Sequence, residues 1–318
     1  MTSIVFMGTP QFAVPILAAL VKNPNYEVKA VVTQPDRRVG RKHLLRQSPV
    51  KEEAVKAGIE VLQPEKINHS QEMQRVIDLA PDLIITAAFG QFLPSKLLAA
   101  ARVAAINVHG SLLPKYRGGA PIQYAIINGE HETGVTIMYM VKKMDAGDIL
   151  AQQALPITED DDAGTMFDKL SILGRDLLLQ TLPRLLAGQI KPVKQDPAKV
   201  TFAPNISSEQ ERIDYHLTAS EIDNKVRGLR PFPIGNMIID GVRTKVYDVT
   251  PLEQTTDLPA GQVVEAGKHR LVLAAGRGTT YQVNELKPAG KQKMAITPYL
   301  NGHQNLKEGF QAVTDDKN

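Results

Sequence analysis

Asn107, His109 and Asp145 are the side chains of this chain whose types and spacing could do chemistry. The first two fall in "NVHGSLLPKYRGGAP" (107–121), at the end of the apolar run "VAAINVH". Side chains alternate along a strand, so Asn107 and His109 point to one face at its carboxyl end. Ligands of open α/β sheets gather at that edge. A plainer reading is also open, in which His109 caps the strand and Asn107 bonds a neighbouring loop. Asp145 lies in "MDAGDIL", which taken alone reads as a turn. If Asp145 meets His109, its carboxylate orients the imidazole and favours the protonated form. The trio then suits acyl transfer: Asn107 donates to a developing oxyanion, His109 handles protons and Asp145 orients it.

No serine or cysteine nucleophile is needed if the incoming substrate brings its own amine. "HGSLLP" is not a G-x-S-x-G elbow, so Ser111 supports a turn and a serine hydrolase is the poorer reading. The glycine-rich "YRGGAP" that follows reads as a loop passing close to a ligand. Other chemistries find little. Gly8 ends a strand-like segment, but "VFMGTPQFAVP" holds no G-x-G-x-x-G and no phosphate-loop motif occurs, which argues against nicotinamide and nucleotide hydrolysis. The seven histidines show no metal-binding spacing, and none of the 318 residues is cysteine. Neither a metal nor a disulfide is expected.

These residues need a sheet to hold them. "SIVFMG", "EVKAVVTQ", "PDLIITAAFG" and "RVAAINVHG" read as buried strands, with helical "PQFAVPILAALVKN", "SPVKEEAVKAG" and "PSKLLAAA" among them. That alternation predicts an α/β fold, a doubly wound and mainly parallel Rossmann-like sheet. "GVTIMYM" and "GDILAQQALPI" follow, and then a long amphipathic helix, "DAGTMFDKLSILGRDLLLQTLPRLLAGQ". From about residue 190 the helical period is lost and prolines and lysines dominate. The expected division is an α/β domain at 1–189, a linker at 190–206, and a small β-barrel at 207–318 built from short runs spaced by Gly, Asp and Pro. Two domains suit the length, and no stretch is apolar enough to span a membrane. The amino terminus reads as a first strand and not as a signal peptide, so a cytoplasmic protein is expected.

The motifs "MGTPQFAVP", "NVHGSLLPKYRGGAPIQYAI", "TGVTIM", "KKMDAGDIL" and "FAPNISSEQERIDY" run through nearly the whole chain. On them the chain resembles the methionyl-tRNA formyltransferase family, within the broader folate-dependent formyltransferases. The resemblance implies that 10-formyltetrahydrofolate donates a formyl group to the α-amino group of methionine on initiator tRNA, in support of translation initiation. It places the family's catalytic residues on Asn107, His109 and Asp145, and its folate-contacting segment on Ser111, Leu112, Leu113 and Pro114. It further implies a monomer without a metal, and a C-terminal barrel that binds tRNA.

Residues 37–51, "RRVGRKHLLRQSPVK", hold six Arg or Lys and no acid, although the whole chain carries a net charge of only +3. Alone this reads equally as a solvated basic loop. By the resemblance it meets the acceptor stem, which makes Arg37, Arg38, Arg41 and Lys42 the candidate tRNA contacts. A sugar-amine or nucleotide formyltransferase with the same folate site, or a noncatalytic RNA-binding module, are the alternatives.

Overall fold

Apolar residues at successive positions make the strand β1 (Thr2–Gly8) one that needs cover on both faces, and Ile4 to Met7 are fully buried. The computed structural model, which describes residues 1–39 and 44–315, sets β1 near the middle of a seven-stranded sheet. Its partners are β2 (Tyr26–Val32), β5 (Glu60–Leu62), β6 (Leu83–Ala87), β7 (Ala104–His109), β8 (Glu132–Tyr139) and β9 (Ile149–Pro156), in the order β5-β2-β1-β6-β7-β8-β9. The first five in that order run parallel; β8 runs against them, and β9, antiparallel to β8, returns to their direction. From β1 the chain steps to β2 on one side and returns through β6 on the other. The carboxyl ends of β1 and β6 therefore flank the topological switch point at which such sheets bind ligands.

The helices among these strands are α1 (Val14–Lys22), α2 (Pro49–Lys56), α3 (Gln71–Leu79) and α4 (Ser95–Leu98), and two of them have polar caps. The Ser48 hydroxyl caps α2 by accepting from the Lys51 amide at 3.0 Å, and Ser70 caps α3 by accepting from the Met73 amide at the same distance. Gly8 answers to packing: a Cβ there would lie 2.8 Å from the Ala13 Cβ and 2.9 Å from the Ala87 carbonyl. Elements that went unread in the sequence include α3, β5 and the hairpin of β3 (Arg37–Val39) and β4 (Leu44–Arg46).

After β7 come α5 (Pro121–Ile127) and α6 (Ala163–Leu186). Helix α6 covers one face of β7, where a Cβ on Gly174 would stand 2.9 Å from Val108 Cγ1. Asn107 and His109, on either side of Val108, face the other way.

Packing divides the chain into two compact units that interleave in sequence. The first holds residues 1–121, 132–156 and 167–204; the second holds 122–131, 157–166 and 205–318. Segment 190–204, expected as part of a linker, belongs to the first unit and is bonded to it: Ile149 and Val193 exchange both backbone hydrogen bonds, at 2.8 and 2.9 Å.

In the second unit an antiparallel sheet runs in the order β12-β13-β14-β11-β10-β16, with β15 (Met294–Ala295) added on β14. These strands are β10 (Asn236–Ile239), β11 (Val242–Leu252), β12 (Val263–Ala266), β13 (Leu271–Ala274), β14 (Thr280–Pro288) and β16 (Val313–Thr314). Residues 309–313 bond back to residues 261–263, so the two edges meet and the sheet curls closed around Tyr281, Leu273 and Val246. Helix α7 (Ala219–Leu229) also packs into this core through Ile222 and Val226. The sequence pattern predicts strands alone here, yet "TASEIDNKVRGL" carries a complete capping box, Thr218 with Glu221.

Candidate active site

Asn107 and His109 leave the end of β7 together, as the alternation requires. Asn107 pairs in register with Thr86 of β6, and the Thr86 hydroxyl donates to Asn107 Oδ1 at 2.7 Å. The amide oxygen is thus occupied. Among the described residues Asn107 Nδ2 has no partner, so its N–H groups remain to donate to a substrate.

His109 is buried, and its Nε2 lies 3.0 Å from the Tyr116 carbonyl oxygen. A carbonyl only accepts, so Nε2 carries the hydrogen and Nδ1 is the nitrogen that gains or loses a proton. The carbonyl is aimed by an unusual backbone, Tyr116 having φ +60°. For a bulky side chain that conformation costs about 1–2 kcal/mol and persists only where the surroundings impose it. They do so here: the Tyr116 amide donates to the Thr201 hydroxyl at 2.9 Å, and the Arg117 amide to the Thr201 carbonyl at 2.9 Å.

Asp145 also takes a positive φ, +49°. Its Oδ2 accepts from the Gly118 amide at 2.9 Å and stands 3.8 Å from His109 Nδ1. A neutral ring leaves that gap as a lone pair facing a carboxylate. Protonating Nδ1 turns it into an attraction between opposite charges in a largely dry setting, where such pairs count for more than in water. The structure thus brings Asn107, His109 and Asp145 to one sheet edge, with a proton-accepting nitrogen and a carboxylate placed to stabilise the imidazolium.

The "SLLP" loop is held by side chains from β8 and β9. The Thr136 hydroxyl donates to the Ser111 carbonyl at 2.6 Å, and the Leu113 amide donates to Thr136 Oγ1 at 3.1 Å. Gln152 Nε2 donates to the Leu113 carbonyl at 2.7 Å and to Thr136 Oγ1 at 2.8 Å. The Ser111 hydroxyl donates to the Lys115 carbonyl at 2.7 Å, a turn bond. Leu112 and Pro114 are half-buried and Leu113 is buried.

The basic segment begins as an exposed hairpin in which Arg37 is paired directly opposite Arg46. Like charges in that register repel, a cost that an approaching anion relieves. Its base is anchored by Asp36, which accepts from Lys51 Nζ at 2.7 Å and from Gln63 Nε2 at 2.8 Å. Those two bonds hold the Asp36 carboxyl below its ordinary pKa. Arg37 and Arg38 lie on β3, while Arg41 and Lys42 lie outside the described residues.

Thr86, Thr136, Gln152, Tyr116 and Gln195 were missed in the sequence. Thr86 and Thr136 left a signal there, each a hydroxyl inside an apolar run, "LIITAA" and "GVTIMYM". Among the described residues no group of three or more His, Asp or Glu is placed to hold a metal ion, and no helix is long and apolar enough to cross a membrane.

Both parts of the chain match known proteins. Residues 1–182 match the family model described as formyl transferase, and residues 205–304 match the formyl transferase C-terminal domain. The methionyl-tRNA formyltransferase of Limosilactobacillus fermentum is 74% identical over 99% of this chain and 100% of its own. That of Lactiplantibacillus plantarum is 67% identical over 95% of this chain and 96% of its own. The crystal structure of an N-formyltransferase from Helicobacter canadensis, complexed with folinic acid and dTDP-3-aminofucose, shares the fold at 19% identity. Its TM-score is 0.66, over 91% of this chain and 100% of that one.

Proposed function

The chain belongs to the formyl transferase family, and from that premise we propose that it moves the formyl group of 10-formyltetrahydrofolate to the α-amino group of methionine on initiator tRNA. The observation that carries the choice of acceptor is the 74% identity to a methionyl-tRNA formyltransferase over 99% of the chain, second domain included.

In the reaction the neutral amine attacks the formyl carbon, and a new C–N bond forms as the carbonyl electrons move onto oxygen. Asn107 Nδ2 donates to that oxygen as it becomes an anion. His109 Nδ1 takes the proton released by the amine, and Asp145 stabilises the imidazolium. The carbonyl then re-forms and the bond to folate N10 breaks. The proton held on His109 passes to N10, leaving tetrahydrofolate and a formamide. Fixing both substrates in one cleft supplies an orientation contribution that reaches about 7–11 kcal/mol in well-aligned systems. Ser111, Leu112, Leu113 and Pro114 contact the folate in this reading. Arg37, Arg38, Arg41 and Lys42 contact the tRNA. Residues 1–189 hold the chemistry, and 207–318 add tRNA affinity. The protein works as a cytoplasmic monomer, and the chemistry is assigned to side chains without a metal.

The test is transfer of labelled formyl from 10-formyltetrahydrofolate to purified methionyl initiator tRNA, with His109→Ala alongside. The expected result is rapid labelling by the wild type and a large fall in kcat for the variant. Labelling of an amino sugar in place of the tRNA would replace the acceptor. A fully active His109→Ala would dismiss the site.

A further inference from the structure

Gln195 lies in the segment that leads toward the second unit, and each of its amide heteroatoms is engaged. Its Nε2 donates to the Asp145 carbonyl at 2.9 Å and to the Gly147 carbonyl at 2.8 Å. Its Oε1 accepts from Arg117 Nε at 3.1 Å and Nη2 at 2.7 Å. A guanidinium only donates, so the amide has one possible orientation, with its NH2 toward the turn. Arg117 is 5% exposed and, among the described residues, no carboxylate pairs with it. Its backbone is locked in turn: the Arg117 amide bonds the Thr201 carbonyl at 2.9 Å, and the Ala203 amide bonds the Arg117 carbonyl at 2.8 Å.

The turn that Gln195 grips takes an uncommon backbone. Asp145 stands at φ +49°, a conformation that its neighbours must enforce. Gly147 is fixed from the other side, because a Cβ there would come within 1.8 Å of the Tyr139 carbonyl. Removing the two Gln195 bonds would leave the Asp145 and Gly147 carbonyls without these donors and let Asp145 leave the left-handed region. Its carboxylate would then move away from His109 Nδ1, now 3.8 Å distant.

We propose that Gln195 is a positioning residue that holds Asp145 in place for catalysis, with Arg117 setting the direction of its amide. The proposal rests on the active-site reading above, in which Asp145 stabilises protonated His109. It gives the irregular segment 190–204 a part in turnover.

Gln195→Glu separates this role from a structural one. The substitution keeps an acceptor for Arg117 and supplies it with a charge, so the buried guanidinium keeps its partner. It replaces the donor to the Asp145 and Gly147 carbonyls with an acceptor. The full-length protein would be assayed with 10-formyltetrahydrofolate and methionyl initiator tRNA, as Q195E, D145N and the double variant. Misplacing a reacting group by an ångström can cost about 100-fold, so Q195E should lose roughly 10- to 100-fold in kcat with both KM values within about twofold of wild type. The double variant should be no slower than D145N alone, because Gln195 acts through the carboxylate that D145N has already neutralised. A Q195E kcat close to wild type, or an equal Q195E loss in the D145N background, would overturn the proposal alone. A fully active D145N would bring down the active-site reading and the proposal with it. Should Q195E not fold, Q195M, which keeps the shape without hydrogen bonds, takes its place in the same cycle: a loss in kcat that vanishes in the D145N background supports the proposal, and a wild-type kcat or a loss that persists there overturns it.

Discussion

Replacing Asn107 by alanine should slow formyl transfer without weakening either substrate. Asn107 Oδ1 already accepts from the Thr86 hydroxyl at 2.7 Å, which turns Nδ2 outward. Its hydrogens thus bond the formyl oxygen most strongly once negative charge builds there. Losing one such donor costs about 2.7–4 kcal/mol, or roughly 100- to 1000-fold in kcat. Thr86→Val should cost far less, because it removes one neutral hydrogen bond that orients the amide. That bond is worth about 0.5–1.5 kcal/mol, a slowing of roughly 2- to 13-fold. Valine keeps the shape of threonine, and Thr86 is 3% exposed, so the packing of β6 against β7 should survive. The assay is single-turnover transfer of labelled formyl with enzyme in excess, run on both single variants and the double. Thr86 is placed to act through Asn107, so adding Thr86→Val to Asn107→Ala should cost nothing more. An Asn107→Ala rate within about threefold of wild type would refute the oxyanion role. A Thr86→Val penalty that persists in the Asn107→Ala background would refute the orienting one.

Neutralising Arg37, Arg38 and Arg41 together should flatten the dependence of log Kd on log salt by roughly two to three units, read by tRNA titration; an unchanged slope would remove the hairpin from the interface. Asp82 accepts from the Ser3 amide and from the Ser3 hydroxyl, each at 2.8 Å, and these bonds, with Arg102 beside them, hold its pKa below the ordinary value. The resulting stability is present in full above the ordinary aspartate range and is lost as pH falls through the lower, folded value. Asp82→Asn should therefore melt below wild type at neutral pH, by calorimetry, and the gap should close as the solution is acidified below the aspartate range. Gly147→Ala should displace the Asp145 turn, since its methyl would need the space of the Tyr139 carbonyl. Its kcat should fall well below that of Gln195→Glu, and comparable activities would mean that the turn tolerates repacking.

Where local rules act alone, the sequence was readable. The pairing of Asn107 with His109 follows from strand alternation, and the α/β order follows from apolar runs separated by helical segments. The capping box of Thr218 and Glu221 obeys an equally local rule, and α7 could have been found from it. Segment 190–204 is a different case. It has no helical or strand period because its backbone bonds go to scattered partners, Ile149, Pro114, Arg117 and Ala120, and no spacing along the chain encodes those meetings.

By itself, then, the sequence determined which side chains are available for the chemistry and that two of them share a strand face, because residue type and alternation are properties of neighbours in the chain. Only the tertiary structure decided which nitrogen of His109 can change protonation, since that depends on the Tyr116 carbonyl 3.0 Å from Nε2. Only it could set Asp145 beside the ring and assign Gln195 to the same turn, because residues 109, 145 and 195 meet through packing of a sheet edge against loops far apart in the chain.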